Sequence, residues 1–301
     1  MPTERSETKR SAVIPPLETI GSVMQRAAQT LAAAGIDDAR RLARRLVAAA
    51  LDLTPTEIFA HPERSLSEGA QRRVASMLQR MTAREPLSRI IGRREFWGLE
   101  FTLSAETLDP RPESETVIEA VCARLPQRSR PYRFLDLGTG TGCLLLALLH
   151  EYPRAYGFGI DAAAGAAVTA RGNAHRLGFG GRAGFVAGDW TAPIANSFDA
   201  VVANPPYIER PALATLPPEV RDYDPVLALD GGADGLAAYR AIAREIIRLL
   251  PSGGIFATEI GFGQADAVAA MLTGTGLAID GFVPDLAGIT RCVVARKPGS
   301  R

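Results

Sequence analysis

The stretch Arg133–Gly142 reads RFLDLGTGTG, an apolar run that ends in a glycine-rich turn. A short apolar run of this kind is typical of a buried strand, and the apolar residues of Cys143–Glu151 predict a helix directly after the turn. Glycines there permit a tight reversal and let a ligand approach the backbone, with the N–H groups of the helix start facing it. The stretch therefore predicts a strand–turn–helix unit with a ligand site. Its spacing is GxGxG rather than GxGxxG, so the turn alone does not identify the cofactor.

Strands and helices alternate from this stretch to the end of the chain. The predicted strands are Arg133–Leu137, Tyr156–Ile160, Ala183–Ala187, Phe198–Ala203, Gly254–Ile260, Leu277–Val283 and Thr290–Ala295. The predicted helices are Cys143–Glu151, Ala163–Leu177, Asp234–Leu250 and Gly263–Thr273. This alternation predicts a doubly wound α/β sheet with helices on both faces. Residues 284–289 are too few for a crossover helix, so the last two strands should pair antiparallel, a layout typical of class I methyltransferases.

The chain before this region is predicted to be helical. Residues 1–16 are predicted to be a disordered leader and residues 17–90 a helical, substrate-binding domain. Its predicted parts are a helix over Leu17–Ala34, a second through Leu51 capped by Asp37 or Asp38, a turn at Pro55–Phe59, and a helix over Ser67–Arg84. Residues 94–103 alternate around Gly98 and predict a β-hairpin within a linker, 91–106. Residues 107–301 then form the α/β domain.

The composition is that of a soluble globular protein, with 47% hydrophobic and 22% charged residues. The polar N-terminus lacks the apolar core of a secretory signal, and no apolar run reaches the length of a membrane span. Three scattered cysteines without a CxxC pair, and three histidines without paired spacing, argue against a disulfide framework and against a metal site. These patterns predict a cytoplasmic protein that needs no membrane and no metal.

The net charge of +1 is unevenly divided. Residues 1–95 carry 16 Lys and Arg against 11 Asp and Glu, or +5, and the rest carries 18 against 22, or −4. The surplus suits either an acidic partner or a solvated helical surface. Because it forms no concentrated patch of Lys and Arg, a direct requirement for nucleic acid is not expected.

The segment Asn204-Pro205-Pro206-Tyr207 follows the predicted strand Phe198–Ala203. A Pro-Pro pair cannot continue a strand ladder, and it holds its backbone carbonyls in a stiff, extended arrangement. Asn204 offers an amide that both accepts and donates hydrogen bonds, and Tyr207 offers a flat ring. The set suits a planar NH2-bearing group, such as a side-chain amide or the exocyclic amine of a base. An ordinary strand-ending turn is the alternative, since Asn and Pro are turn residues.

Acidic residues close the second and third predicted strands. Asp161 can hydrogen-bond both hydroxyls of a ribose. Asp189 can accept from the amino group of an adenine, while Trp190 supplies a flat face. Each residue alone also fits a helix cap or a turn. Because the carboxyl ends of parallel strands meet in one crevice, the joint pattern predicts a nucleoside-cofactor site.

From about Leu17 to Ala295, the chain resembles the HemK/PrmC family of protein-(glutamine-N5) methyltransferases, which modify peptide chain release factors. NPPY and GxGxG indicate amino-methyltransferases in general. The family is indicated by further segments in this order behind a helical module. These are Pro86–Gly92, Glu95–Leu99, Pro110–Glu115, Leu227–Leu236 and Glu259–Gly261.

The resemblance implies a class I (Rossmann-like) S-adenosylmethionine-dependent methyltransferase sheet, joined by the β-hairpin to an N-terminal helical bundle. It implies methyl transfer from S-adenosyl-L-methionine to the side-chain amide nitrogen of the glutamine in a release factor's Gly-Gly-Gln loop, in support of translation termination. The implied cofactor-binding residues are Asp136, Gly138, Thr139, Gly140, Thr141, Gly142, Asp161, Asp189, Trp190 and Asn204. The implied substrate-binding residues are Asn204, Pro205, Pro206 and Tyr207, of which Asn204, Pro205 and Tyr207 are the expected catalytic group. The alternative is an amino-methyltransferase that acts on a ribosomal-protein glutamine or on a nucleic-acid base.

The chain departs from the family pattern at two places. Asp109 stands where the family usually has an apolar residue before Pro-Arg-Pro, and residues 162–165 read AAAG where a Ser-Pro type of helix start is usual. The second departure predicts a less well-capped helix. The proline-studded segment 208–233 is expected to close over the substrate peptide. Phe96 and Trp97 either lie opposite it or, at least as readily, serve as domain-packing residues.

Overall fold

The computed structural model describes residues 18–192 and 194–299. The chain divides into two compact units, the first ending at Ile90 and the second beginning at Ile91. The leader predicted for residues 1–16 lies outside the described residues.

The first unit is helical. Its helices are α1 (Ile20–Ala33), α2 (Ala39–Leu51), α3 (Pro55–Ala60), α4 (Glu68–Thr82) and α5 (Leu87–Ile91). Thr19 and Ser22 form a capping box that starts α1, and the buried residues of α1 recur at helical spacing. This pattern matches the helical periodicity predicted for the segment.

Two local predictions in the first unit are wrong. The segment predicted as a turn is the short helix α3, because Thr54 and Glu57 satisfy each other's backbone N–H groups in a capping box. Asp38 occupies the N-cap position of α2 but forms no side-chain capping bond. Its carboxylate accepts instead from Arg41 at 2.6 Å, so an ion pair competes with the cap.

The second unit opens with an antiparallel hairpin of β1 (Arg93–Phe96) and β2 (Leu99–Thr102). The remaining strands are β3 (Arg133–Leu137), β4 (Tyr156–Asp161), β5 (Ala183–Ala187), β6 (Ala200–Ala203), β7 (Ile255–Glu259), β8 (Ala278–Pro284) and β9 (Thr290–Arg296). The helices are α6 (Glu115–Arg124), α7 (Cys143–Glu151), α8 (Ala164–Arg176), α9 (Pro218–Arg221), α10 (Ala237–Ile246) and α11 (Ala265–Gly274).

The strands β3 to β9 form a sheet in the order β5-β4-β3-β6-β7-β9-β8. The strands β5, β4, β3, β6 and β7 are parallel, while β9 pairs antiparallel with both β7 and β8. The predicted doubly wound sheet and its reversed pair are therefore confirmed. The strand order reverses at β3, between β4 and β6, and such a switch point opens a crevice at the carboxyl ends of the strands.

Hydrophobic layers cover both faces of the sheet. One layer packs residues of α6, α7 and α8 onto the sheet, and the other packs residues of α10 and α11. Side chains of β3 alternate between the layers, with Phe134 in the first and Leu135 in the second. This packing fixes the strand ends that carry the polar residues predicted for the site.

The segment 208–233 is folded. It contains α9 and the 3₁₀ turns Arg210–Thr215 and Val226–Ala228. Its two ends pair, because the Ile208 N–H donates to the Leu229 carbonyl at 3.1 Å and the Gly231 N–H donates to the Ile208 carbonyl at 2.8 Å. Backbone pairing thus anchors this segment beside the end of β6.

Phe96 is buried in the interior of the second unit. Its side chain is 2% exposed and packs edge-on against Phe101, with ring centroids 6.4 Å apart. The Trp97 indole N–H donates to Glu151 at 2.9 Å, and the Trp97 backbone N–H donates to Glu115 at 2.9 Å. Of the two alternatives, the packing role is confirmed for Phe96, and Trp97 is held by hydrogen bonds to α6 and α7.

Candidate active site

A cavity of about 330 Å³ opens at the carboxyl ends of the parallel strands. Predicted site residues on its wall are Gly138, Thr139, Gly140, Thr141, Asp161, Asp189, Trp190, Asn204 and Pro206. Asp136, Gly142, Pro205 and Tyr207 do not line it. The fold thus brings most of the predicted residues to one crevice, while the other four are not part of the wall of this cavity.

The glycine-rich turn is held by Asp161. Gly138 and Gly140 have φ values of +71° and +53°, a conformation that glycine adopts without steric cost. The Gly140 N–H donates to Asp161 Oδ2 at 2.8 Å, and the Ala163 N–H donates to Asp161 Oδ1 at 2.9 Å. Because a carboxylate offers about four lone-pair sites, Asp161 retains acceptors for a ligand in the cavity. One side chain therefore joins the turn after β3 to the start of α8.

Asp136 holds the glycine-rich turn through a hydrogen bond with Thr139. Its side chain is 1% exposed, and its Oδ2 accepts from the Thr139 hydroxyl at 2.7 Å. Oδ1 has no hydrogen-bond partner among the described residues. Burial raises the pKa of Asp136 to about 7. The geometry gives Asp136 a contact with Thr139 rather than a place on the cavity wall.

Trp190 covers the glycine-rich turn from the β5 side. Its φ is +43°, and its ring lies 3.7 Å from the position that a Cβ on Gly138 would take. The neighbouring Asp189 also lines the cavity. An indole face and a carboxylate therefore lie together at the end of β5.

Glu106 is a wall residue that sequence reasoning missed. The N-cap residue of α8, Ala163, makes no side-chain capping bond. Glu106 Oε2 accepts instead from the Gly165 N–H at 2.9 Å, and a Cβ on Gly165 would lie 2.1 Å from Glu106 Oε1. The AAAG departure is thus compensated, because a carboxylate from a distant segment caps the first turn of α8. The glycine within that turn was the available signal.

The other end of the cavity is built around Asn204. Its Nδ2 donates to Ser114 Oγ at 2.9 Å, and Ser114 Oγ donates to Glu259 Oε2. The Tyr207 hydroxyl donates to Glu259 Oε1 at 3.2 Å. Asn204 and Ser114 line the cavity, whereas Glu259 lies behind them and is 2% exposed. In the described part of the chain, the Asn204 side-chain oxygen accepts no hydrogen bond, so it is available to a ligand.

Glu259 is an unusual buried carboxyl group. Burial above all, and to a smaller extent the nearby Glu113, raise its pKa to about 7. The hydrogen bonds from Ser114 and Tyr207 and the charge of Arg291 act in the opposite direction. Sequence reasoning gave neither Ser114 nor Glu259 a role. The signal for Glu259 was a carboxylate at the end of an otherwise apolar strand.

Tyr207 and Pro205 belong to this end of the site without lining the cavity. The Tyr207 backbone carbonyl accepts from Gln264 Nε2 at 3.0 Å, and burial raises the pKa of the Tyr207 hydroxyl, which keeps it neutral. Pro205 is buried. Both ends of Tyr207 are therefore held by hydrogen bonds.

The other departure from the family pattern, Asp109, also has a partner. Its side chain is 3% exposed and pairs with Arg94 of the hairpin at 3.6 Å. Its backbone N–H donates to Asp224 at 3.4 Å, and Asp224 in turn accepts from Arg111. These charges connect the hairpin, the Pro-Arg-Pro segment and the 208–233 segment.

Within residues 18–192 and 194–299, no group of three His, Cys, Asp or Glu side chains is placed to hold a metal ion. None of the helices described is both long and apolar enough to span a membrane.

Two protein-family models match the chain. The PrmC N-terminal domain matches residues 22–92, and a methyltransferase domain matches residues 129–272. Among solved structures, the hMettl16 catalytic domain in complex with the MAT2A 3′UTR hairpin superposes with a TM-score of 0.54 at 15% identity. It covers 75% of this chain and 82% of that chain, and this likeness shows a common fold.

Curated relatives match almost the whole chain. The release factor glutamine methyltransferase of Rhodospirillum rubrum is 44% identical over 292 residues, covering 97% of this chain and 88% of the relative. That of Bradyrhizobium diazoefficiens is 44% identical over 283 residues, covering 93% and 95%. The resemblance noted in the sequence is confirmed, and the chain belongs to the release factor glutamine methyltransferase family.

Proposed function

We propose that this protein transfers a methyl group from S-adenosyl-L-methionine to the side-chain amide nitrogen (N5) of the glutamine in the Gly-Gly-Gln loop of peptide chain release factors. The observation that carries the proposal is the Asn204 amide, whose NH2 group is held by Ser114 while its oxygen is available at the cavity. An amide oxygen in this position suits a ligand with an N–H group, as a glutamine side chain has.

The wall of the cavity fits the cofactor that the family uses. Its volume lies at the lower end of the range typical of small-molecule sites, about 300–1,000 Å³. A Cβ on Gly140 would meet no atom within 4 Å, so the turn presents open backbone to the cavity. Asp161 would hold the ribose, and Asp189 with Trp190 would hold the adenine. When bound, S-adenosyl-L-methionine supplies an electrophilic methyl group.

Asn204 and Pro205 would orient the acceptor. A carboxamide nitrogen is a poor nucleophile, because its lone pair is delocalised into the carbonyl group. If Asn204 Oδ1 accepts one N–H and the Pro205 carbonyl accepts the other, the lone-pair face of the nitrogen is held toward the cavity. Orientation of this kind supplies up to about 7–11 kcal/mol of a barrier in well-oriented cases. Acceptors that are fixed beforehand also stabilise the positive charge that develops on the nitrogen.

The transfer needs no strong base before it occurs, because the proton can leave after the methyl group has arrived. This fits the surroundings of Asn204, whose one side-chain partner among the described residues is the Ser114 hydroxyl. Tyr207, held as a neutral phenol, would pack its ring beside the amide.

Mass spectrometry of a purified bacterial release factor, incubated with this protein and S-adenosyl-L-methionine, tests the proposal. We expect one added methyl group on the glutamine of the Gly-Gly-Gln peptide, and none on a release factor whose glutamine is replaced by alanine. Calorimetry of cofactor binding checks separately that the enzyme is competent. A methyl group found instead on a ribosomal-protein glutamine or on RNA would overturn the proposed substrate.

A further inference from the structure

Two hydrogen bonds, through Ser114, join the buried carboxyl group of Glu259 to the NH2 group of Asn204. Glu259 accepts from the hydroxyls of Ser114 and Tyr207, and Ser114 accepts from the amide of Asn204. Both Ser114 and Glu259 are 2% exposed, so water does not compete for these bonds. The chain of contacts spans three separate segments and ends at the group that would hold the methyl acceptor.

The single hydroxyl proton of Ser114 determines which group donates and which accepts in these hydrogen bonds. A serine hydroxyl carries one proton, and Ser114 donates that proton to Glu259. Toward Asn204, Ser114 can therefore act only as an acceptor, which requires the NH2 end of the Asn204 amide to face it. The oxygen of Asn204 must then point away from Ser114. The orientation of Asn204 thus depends on a carboxylate that does not line the cavity.

We propose that Ser114 and Glu259 are positioning residues for the methyl acceptor, with Glu259 orienting Ser114 and Ser114 orienting the Asn204 amide. This inference rests on the proposed function, because it requires an acceptor with an N–H group bound to Asn204. Neither residue touches the reacting atoms in this scheme. Their effect is on the turnover rate with a correctly held acceptor.

Protonation of Glu259 would exchange the donor and acceptor roles in the hydrogen bonds that join Glu259, Ser114 and Asn204. A neutral carboxyl group carries a proton on one oxygen, so the hydroxyl that faces that oxygen must turn its own proton away. If Ser114 turns, its proton points at Asn204 and the amide must rotate, which presents NH2 in place of oxygen to the acceptor. The pKa of Glu259 lies near neutrality, so this change falls within a measurable range.

Several groups face Glu259 from the elements packed around it. They are Glu113 before α6, Tyr207 after β6, Tyr239 on α10, Cys143 on α7, and Arg291 with Cys292 on β9. Burial raises the pKa of Cys143 to about 12, and it also raises the pKa values of Tyr207, Tyr239 and Cys292. These four groups stay neutral near pH 7. Asp136, which has a similar pKa of about 7, bonds to Thr139 and not to this network.

The test is the pH dependence of kcat with release factor as the substrate, measured with saturating cofactor. For the wild type, we expect kcat to rise with pH through about 7, as Glu259 ionises. Glu259→Gln should have a low kcat without this rise, because its amide always presents a donor on one side. Ser114→Ala should lower kcat about 100-fold and remove the rise, with little change in the Kd of the cofactor.

Two variants separate positioning from structure. Ser114→Thr keeps the hydroxyl and should restore kcat and the rise with pH. Thr116→Val removes another buried hydroxyl of the same segment, one that donates to the Glu113 carbonyl at 2.7 Å, and should leave both unchanged.

The inference is overturned if Ser114→Ala retains wild-type kcat, or if its rise with pH survives, whether or not Glu259→Gln folds. A wild type that leaves the glutamine unmethylated, while it binds the cofactor, contradicts the proposed function instead. The two failures are therefore distinguishable.

Discussion

The two ends of the cavity are built in different ways. At the end with the glycine-rich turn, called the cofactor end because we propose that it holds the cofactor, the hydrogen bonds that hold the turn join residues close in the chain. The separations are 3 residues for Thr139–Asp136 and 21 for Gly140–Asp161. At the end around Asn204, called the acceptor end because we propose that it holds the methyl acceptor, the separations are much larger. They are 52 residues for Tyr207–Glu259, 90 for Asn204–Ser114 and 145 for Ser114–Glu259. Backbone N–H groups provide much of the cofactor end, whereas side-chain hydroxyls and one carboxyl group organise the acceptor end.

This difference predicts separable functions. A turn built from backbone geometry tolerates changes at a distance, so cofactor binding should depend on few side chains. The loss of one side chain from a buried hydrogen-bond network is not compensated, because the polar groups that bonded to it are left without a partner. Substitutions at the two ends should therefore affect different kinetic quantities.

The largest effect is expected for Asn204→Ala. It removes the acceptor for the substrate N–H and should lower kcat on release factor by roughly 10³-fold or more, by analogy with the loss of a preorganised transition-state contact. Cofactor Kd should change by less than about tenfold, since the glycine turn and Asp161 are intact. Methylation rates and calorimetry measure the two quantities. Equal losses in both would show that the two ends are not separable.

The stability of the acceptor end should depend on pH. The pKa of Glu259 is raised from 4.5 in the unfolded chain to about 7 in the folded protein, so the folded state holds the proton more tightly. The resulting stabilisation is complete below about pH 4.5 and decreases as pH rises through 7, by about 3 kcal/mol in all.

Urea unfolding across this pH range, for the wild type and Glu259→Gln, measures that effect. The difference in unfolding free energy between the two proteins should change in favour of Glu259→Gln as pH rises, and should level off above the folded pKa. Comparison of the two proteins cancels the contribution of Asp136, whose pKa is also raised to about 7. A difference that is constant with pH would contradict the assignment.

At the cofactor end, Asp161→Ala should weaken cofactor binding. The substitution removes the acceptor of both the Gly140 and Ala163 N–H groups, along with the contact that Asp161 is proposed to make to the ribose. We expect the Kd of the cofactor to rise about 100-fold, where each tenfold change corresponds to roughly 1.4 kcal/mol of binding free energy. The kcat at saturating cofactor should change only a few-fold. Calorimetry and cofactor titrations of the rate provide the measurement. A large loss of kcat with unchanged Kd would reverse the roles of the two ends.

The smallest effect is expected for Glu106→Ala. It removes the external cap of α8 and should cost about 1 kcal/mol of unfolding free energy, the usual magnitude for a lost helix cap. Glu209→Ala, which removes an exposed carboxylate elsewhere in the second unit, is the matched control and should leave stability unchanged. Gly165→Ala should reproduce the effect of Glu106→Ala, because a Cβ there displaces the same carboxylate. Unchanged thermal unfolding of both variants would show that α8 does not depend on this cap.

The cofactor end was the more predictable part of the site. Gly138, Gly140 and Asp161 follow strands with clear hydrophobic patterns, and parallel strands place their carboxyl ends at one edge. The exclusion of Asp136 and Gly142 from the cavity wall was not predictable. Successive strand residues point to opposite faces of the sheet, and neighbouring residues of a turn point in different directions. Phe96 shows the same limit, since an aromatic pattern does not indicate which neighbours it will contact.

Local sequence patterns were enough to predict the alternation of strands and helices from β3 onward, the reversed final pair and the strand-end motifs, because hydrophobic periodicity and turn chemistry are local properties. Three contacts became visible only in the folded protein: Ser114 lies between Asn204 and Glu259, Glu106 caps α8, and Arg94 pairs with Asp109. Each of these contacts joins residues from different segments, and their meeting depends on how helices and strands pack. Burial, which raises the pKa of Glu259, likewise exists only in the folded chain.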